Sequence, residues 1–174
     1  MTDNFNPSFS FEFKNSKSLF ENLLEEFTDF ENNTTKSRFA INCAINAWHL
    51  TDWTFQEYYR DDERFQDWEQ TDKNSCKRKF LGVIKYQQYC VKQCPELEYM
   101  RLITNGSKHC ILNDKQQKEK TKLYEGAFSK EFSREFDISR FVIENDGTEI
   151  DFHTILEKVI EYWKNQFAKS QSSP

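Results

Sequence analysis

Two short segments of the chain carry side chains suited to proton transfer. In the first, His49 stands three residues before Asp52, and in the second, Asn105 stands four residues before His109. Imidazole titrates near neutral pH and a neighbouring carboxylate orients it, so a His–Asp pair is a common general acid–base unit. The two segments are therefore the first candidates for a catalytic or ligand-binding site.

Positive charge accompanies the second segment. At about 100° per residue on a helix, Arg101 and Lys108 fall with Asn105 and His109 within about 100° of arc. Guanidinium, ammonium and amide groups all donate hydrogen bonds to phosphate oxygens. We therefore expect this face to bind an anionic group such as a phosphate.

The first segment places a carboxylate among apolar residues. The spacing predicts a long helix over about residues 35–60. Its apolar stripe is expected to consist of Ile41, Ala44, Ile45, Trp48, Phe55 and Tyr59. Asp52 falls on this stripe and His49 on its edge. Because a buried carboxylate is costly without a partner, we expect Asp52 to pair with His49.

Two hypotheses follow from these polar rows. In one, the second and fourth helices face each other and enclose a cleft that holds His49, Asp52, Asn105 and His109. In the other, the same side chains hydrogen-bond within the helix packing and fix its register. Both hypotheses depend on the elements that position these residues.

Composition favours a helical protein of one domain. The chain has 174 residues, of which 16% are aromatic, 4 are Gly and 3 are Pro. So few Gly and Pro leave little material for a turn-rich sandwich or barrel. We expect one helical domain over residues 15–169, after an N-terminal arm at 1–14 and before a disordered tail at 170–174.

Hydrophobic periodicity predicts a mainly α-helical fold, an antiparallel bundle of four main helices over residues 15–113. These helices are expected at residues 17–30 after an N-cap at Ser16, then at 35–60, 75–93 and 95–112, with a short helix near Phe65 and Trp68. A small β-element follows over residues 121–153. It comprises a strand at 123–128 and a hairpin of strands 140–144 and 148–152. Asp146–Gly147 between those two strands is typical of a tight type I′ turn. A closing helix is expected over residues 154–168.

Charge and cysteine content bound the partners. The net charge is −5, whereas proteins that neutralise phosphates usually show a basic excess, so nucleic-acid binding would need a local patch. The chain has no run of about 18 apolar residues and no signal-peptide pattern at its start. We therefore expect no membrane contact, five reduced cysteines and a cytoplasmic location.

Metal and cofactor signatures are weak. Cys90 and Cys94 stand four residues apart near His109 and Cys110, but zinc sites usually use a Cys-x-x-Cys spacing. No Glu-x-x-His motif of a di-iron bundle occurs, and no Gly-rich phosphate loop is present. We expect neither a metal nor a cofactor.

The segment from Arg101 to His109, Arg-Leu-Ile-Thr-Asn-Gly-Ser-Lys-His, resembles the signature helix of HEPN-type helical domains. That motif has an Arg, then a polar residue such as Asn, and a His a few residues later. Asn105 and His109 match it. Thr104 stands where the motif has Arg, and the nearest Arg is Arg101, one turn earlier.

The resemblance implies a helical-bundle homodimer of a prokaryotic defence or toxin–antitoxin system. Many such proteins are metal-independent ribonucleases, in which the His assists proton transfer at the 2′-hydroxyl and the Arg stabilises the phosphorane. The implied catalytic residues are His109, Asn105 and Arg101. His49, Asp52 and Lys108 are expected to bind the ligand.

With Thr104 in place of Arg, the resemblance also implies an inactive relative that binds RNA or a protein partner. The alternative is a non-enzymatic helical interaction module, also expected to be dimeric, whose polar rows fix packing. Family analogy alone does not decide between these functions.

Overall fold

The computed structural model describes residues 11–71, 77–108, 119–126 and 139–170. Its helices are α1 (Ser16–Asn32), α2 (Ser37–Thr54), α3 (Gly82–Gln93), α4 (Leu97–Lys108) and α5 (Phe152–Ser170). The prediction of a mainly α-helical fold is confirmed. Most of the expected arm, most of the tail and the expected end of the fourth helix lie outside these ranges. Within them, no helix is both long enough and apolar enough to cross a bilayer.

Helix α2 lies at the centre and packs against α1, α3, α4 and α5. Its buried face consists mainly of small side chains, namely Ala40, Cys43, Ala44 and Ala47, with Leu50, Thr51 and Thr54. Small residues let neighbouring helices approach closely. The indole of Trp163 on α5 is fully buried and donates a hydrogen bond of 3.2 Å to the carbonyl oxygen of Ala47. The closing helix is thereby fixed to the centre of the core.

The start of α1 is fixed by two sets of hydrogen bonds. Asn15, rather than the expected Ser16, is the N-cap, and its side chain accepts from the backbone N–H of Ser18 at 2.8 Å. Ser16 is instead the buried first residue of the helix. Its backbone N–H and hydroxyl donate to Glu57 Oε2 at 2.8 and 2.6 Å. These bonds tie α1 to the segment that follows α2.

That segment is a π-helical turn, Phe55–Tyr59, followed by a 3₁₀ turn, Glu63–Phe65. The predicted helix over residues 35–60 is therefore correct in extent but not in pitch beyond Thr54. A π-turn rotates the following side chains relative to an α-helix. Here the ring of Tyr59 stacks on Tyr86 of α3, with ring centroids 4.7 Å apart.

A hairpin that periodicity did not predict precedes α3. Strand β1 (Trp68–Thr71) pairs antiparallel with β2 (Lys77–Phe80). The expected helix start at residue 75 is wrong, because α3 begins at Gly82. There the backbone N–H of Gly82 donates to Asp67 Oδ1 at 2.8 Å, which satisfies the first orphan donor of the helix.

The second sheet has three antiparallel strands in the order β3 (Lys120–Tyr124), β4 (Arg140–Asn145) and β5 (Thr148–Asp151). The predicted hairpin is confirmed. Positive φ values of 46° at Asp146 and 81° at Gly147 are those of a type I′ turn. Asp151 then accepts from the backbone N–H groups of His153 and Thr154 and so caps α5, which begins two residues earlier than expected.

Candidate functional site

The outer face of α4 carries three of the predicted site residues. Arg101, Asn105 and Lys108 lie within about 60° of arc, and the first two are half-buried while Lys108 is exposed. The buried side of the helix, formed by Leu97 and Met100, borders this arc, since Leu97 lies about 40° around α4 from Arg101. Solvent reaches all three polar side chains, and we call them the α4 row.

Arg101 of the α4 row already forms an ion pair with Glu98, which is not part of the row. Its Nε donates to Glu98 Oε2 at 2.8 Å and its Nη2 to Glu98 Oε1 at 2.5 Å. Two parallel hydrogen bonds of this kind hold the guanidinium plane in a defined orientation. They also neutralise part of the positive charge that was expected to attract an anion.

Thr104, which stands where the resembled motif has Arg, lies at the border between the α4 row and the buried side of α4. Thr104 lies toward the buried side of α4, and its hydroxyl oxygen is inaccessible to solvent. A longer charged side chain at this position would be directed into the packing between α4 and its neighbours. His109 lies outside the described residues, so its place in the site stays a prediction.

His49 and Asp52 are exposed, which corrects the expectation that Asp52 lies on the core-facing stripe. They stand about 160° and 140° around α2 from the buried Ala47. The prediction followed the large apolar residues, whereas small residues pack inward because they allow close helix contacts. The apolar residues Ile41, Ile45 and Trp48 are consequently only half-buried.

The His49–Asp52 pair nevertheless has perturbed titration. Partial burial lowers the pKa of His49, and the charge of Asp52 opposes that shift. Partial burial likewise raises the pKa of Asp52, against the effect of His49. The surrounding protein therefore removes some hydration from both groups although solvent still reaches them. The two shifts bring the pKa values closer together, which favours proton exchange between the groups.

Helices α2 and α4 meet near Ile41 and Ile103, which line the same two cavities. His49 and Asp52 stand about 12 and 17 Å further along α2 than Ile41, at about 1.5 Å per residue. One cleft shared by this pair, Asn105 and His109 stays a prediction.

A cavity of about 500 Å³ separates α4 from the second sheet. Tyr99, Ile103 and Gly106 line it from α4, on the side about 140–200° around from Arg101. Thr121 and Ile143 line it from the sheet, and an adjoining cavity of about 200 Å³ shares both residues. The α4 row and the cavity are thus on opposite sides of one helix.

Sequence reasoning missed His153, which is the most buried described histidine. Only 6% of it is exposed. Its Nε2 lies 3.1 Å from Glu31 Oε1 on α1, and its Nδ1 lies 3.2 Å from Glu157 Oε2 on α5. Its position, one residue inside a helix that follows a strand, carried no sequence signal.

Among the described residues, the cysteines are buried and no cluster of metal ligands is found. Cys43, Cys90 and Cys94 are buried, and burial raises the pKa of each thiol. Across the described part of the chain, no three His, Cys, Asp or Glu side chains are placed to hold a metal ion. Cys76 and Cys110 lie outside that part.

No family model, curated protein or solved structure matches the chain. The functional interpretation of α4 and α2 therefore depends on their own side chains.

Proposed function

We propose that this protein is a HEPN-like helical protein that binds RNA through the α4 row. The observation that supports this function is the alignment of Arg101, Asn105 and Lys108 on one accessible face over two helical turns. Each side chain donates hydrogen bonds that suit phosphate oxygens. His109 follows directly in sequence and is proposed to complete the row. A role in a prokaryotic defence or toxin–antitoxin system is part of this proposal and derives from the resemblance.

We propose binding rather than efficient cleavage. Thr104 replaces the Arg of the resembled motif, and Arg101 is paired with Glu98. His49 and Asp52, which stand on another helix, are proposed as a separate contact, where a carboxylate and an imidazole would hydrogen-bond ribose hydroxyls.

Fluorescence anisotropy with a labelled 12-nucleotide oligouridine tests the proposal. Lys108→Gln is expected to weaken binding several-fold and to reduce the salt dependence, d log K/d log[salt], by about 0.7. Lys164→Gln on α5, another exposed helical lysine, is the matched control. Equal affinity and equal salt slope for Lys108→Gln and the wild type would exclude the α4 row as an RNA contact.

A cleavage assay separates binding from catalysis. Radiolabelled RNA incubated with the protein in EDTA is expected to remain intact over hours. Cleavage that persists in EDTA and disappears in His109→Ala would replace the binding role with a metal-independent ribonuclease.

The second candidate is a non-enzymatic interaction module that forms a homodimer. Exposed apolar side chains at Leu81 and Ile84 near the start of α3 favour it. In either case we expect α1 to α4 to form an antiparallel four-helix bundle. Sedimentation velocity tests the dimer, which is expected to dissociate in Leu81→Ser/Ile84→Ser. A monomer at all concentrations of wild type would contradict it.

A further inference from the structure

A second polar face lies on α3 and consists of residues other than those proposed to contact RNA on α2 and α4. Lys85, Tyr89 and Lys92 follow one another at i, i+4 and i+7 and fall within about 60° of arc. Tyr89 is 39% exposed and Lys92 is exposed. The buried residues Tyr86 and Cys90 lie about 60° and 100° around α3 from Tyr89, so this face borders the buried side of the helix. An aromatic ring flanked by two cations is thus presented to solvent.

Two neighbouring residues extend this face. The guanidinium of Arg64, on a side chain that is 61% exposed, lies 6.0 Å from the centroid of the Tyr89 ring. The ammonium of Lys85 lies 4.5 Å from the centroid of the Trp68 ring at the start of β1. Each of the two rings is therefore accompanied by a cation. We call the set Arg64, Trp68, Lys85, Tyr89 and Lys92 the α3 face.

The ring of Tyr89 packs against a buried aromatic side chain. The buried Phe65 contacts it with ring centroids 5.6 Å apart, and Phe65 in turn meets Tyr86 at 5.2 Å. An aromatic side chain fixed by such contacts loses little further conformational freedom when a ligand stacks on it. The Tyr89 ring is therefore held in a defined orientation before a ligand binds.

The cations of the α3 face differ in what they already contact. Asp62 offsets Arg64 through an ion pair of 2.6 Å. The ammonium of Lys85 donates to the backbone carbonyl oxygen of Gln66 at 3.1 Å, which is an uncharged partner. Lys92 is exposed to solvent.

We propose that the α3 face binds single-stranded RNA, with bases stacked on Tyr89 and Trp68 and phosphates beside Lys85 and Lys92. The choice of RNA as ligand rests on the proposed function, but the residues are different. Unpaired bases offer exposed π-faces to aromatic side chains, whereas bases of a duplex are stacked on each other. An acidic peptide would use the cations but not the rings. The combination of rings and cations therefore favours a single strand.

Anisotropy with the labelled 12-nucleotide oligouridine between 50 and 300 mM salt tests the proposal. Lys85→Gln/Lys92→Gln is expected to weaken binding about tenfold and to reduce the salt slope by about 1.4, which is about 0.7 for each cation. Tyr89→Leu is expected to weaken binding about tenfold at unchanged salt slope, and Tyr89→Phe to retain affinity because the ring is kept. Lys164→Gln is again the matched control, and thermal melts establish that each variant is folded.

The outcomes distinguish this inference from the proposed function. If Lys108→Gln weakens binding and the α3 variants do not, the α3 face is excluded and the α4 row stands. If the α3 variants weaken binding and Lys108→Gln does not, the α3 face stands and the α4 row is excluded. Absence of wild-type binding at 50 mM salt would exclude both. Equal affinity for a 12-residue polyglutamate through the same residues would overturn RNA as the ligand of the α3 face.

Discussion

Glu98 holds the guanidinium of Arg101 in a two-point ion pair, one turn apart on α4. Both side chains are more than a third exposed, so the pair contributes only about 0–1 kcal/mol to stability. In the proposed RNA complex, however, Glu98 repels the phosphate that Arg101 attracts. We expect Glu98→Gln to raise RNA affinity by up to about fivefold, which corresponds to about 1 kcal/mol, with a nearly unchanged melting temperature.

Anisotropy at low salt measures this gain, and the double variant Glu98→Gln/Arg101→Gln is the control. If Arg101 is the cation released, the double variant loses the gain. A lower affinity of Glu98→Gln than of the wild type would show that Glu98 orients Arg101 for binding instead of competing with RNA.

The titration of His49 tests the interaction across one turn of α2. Because burial lowers its pKa and Asp52 raises it, we expect the pKa of His49 to lie below 6.5 in the wild type and to fall further in Asp52→Asn. NMR of the imidazole protons against pH gives both values. An unchanged value in Asp52→Asn would mean that the two groups do not interact.

The free energy of unfolding should depend on pH because the pKa values of His49 and Asp52 are both shifted in the folded protein. As the pH falls through 6.5, the unfolded chain binds a proton that the folded His49 resists, so this group lowers the free energy of unfolding in acid. Asp52 lowers the free energy of unfolding at higher pH. Because its pKa is raised in the folded state, this loss develops as the pH rises from the ordinary value of 3.8 through the folded pKa. Asp52→Asn is therefore expected to be more stable than the wild type at pH 7 and equal to it below about pH 3.8. Urea unfolding at both pH values measures the difference, and Asp61→Asn, on an exposed carboxylate, is the control.

The buried thiols should resist alkylation in the folded protein. Burial raises the pKa of Cys43 to about 12 and that of Cys94 to about 11, so almost no thiolate is present at pH 8. We expect iodoacetamide at pH 8 to leave Cys43, Cys90 and Cys94 unmodified in native protein and to modify all of them in urea. Peptide mass spectrometry measures this, and native modification of Cys43 at the rate of a free thiol would contradict the buried position.

Elements with local chemical signals were predictable from the sequence. Asp146–Gly147 specifies positive φ at two successive positions, which few other residue pairs tolerate, so the hairpin followed directly. The hairpin before α3 lacked such a signal, because neither Trp68–Thr71 nor Lys77–Phe80 shows a clear alternation of apolar and polar residues. Its position is fixed by long-range contacts, among them the bond from Gly82 to Asp67.

The candidate site was harder to predict than the fold. The α4 row depends only on helical spacing, so its shared face could be read from the sequence. The rotation of α2 could not, because it depends on which partners pack closely against Ala44 and Ala47. A misplaced helix rotation moved Asp52 from the surface to the expected core. Whether His49 and Asp52 lie near Asn105 likewise depends on the relative arrangement of α2 and α4, which no local pattern encodes.

Substitution of His153 should change the free energy of unfolding much more than substitution of His49. His153 bonds to Glu31 and Glu157 from a buried position, and its ring packs 5.1 Å from that of Phe27. We expect His153→Ala to reduce the free energy of unfolding by about 1–3 kcal/mol, because buried contacts and hydrogen bonds are lost. His49→Ala, on an exposed residue, is expected to change it by less than about 0.5 kcal/mol.

Urea denaturation of both variants measures these effects, and RNA anisotropy accompanies it. His153→Ala should retain wild-type RNA affinity at temperatures where it is folded. A His153→Ala variant as stable as the wild type would mean that the link between α1 and α5 contributes little.

Gly82 joins α3 to the 3₁₀ turn so closely that a side chain has no space. A Cβ at this position would lie 1.6 Å from the carbonyl oxygen of Phe65, which is backbone and cannot rotate away. We expect Gly82→Ala to destabilise the fold by about 3 kcal/mol through displacement of α3 or of Phe65. Gly147→Ala is the matched control. There φ is +81° and nothing lies within 4 Å, so only the conformational cost of about 1–2 kcal/mol applies.

Because Phe65 supports Tyr89, Gly82→Ala should also weaken RNA binding at the α3 face, whereas Gly147→Ala should not. Equal destabilisation by the two substitutions, measured by urea unfolding, would show that α3 does not approach Phe65 this closely.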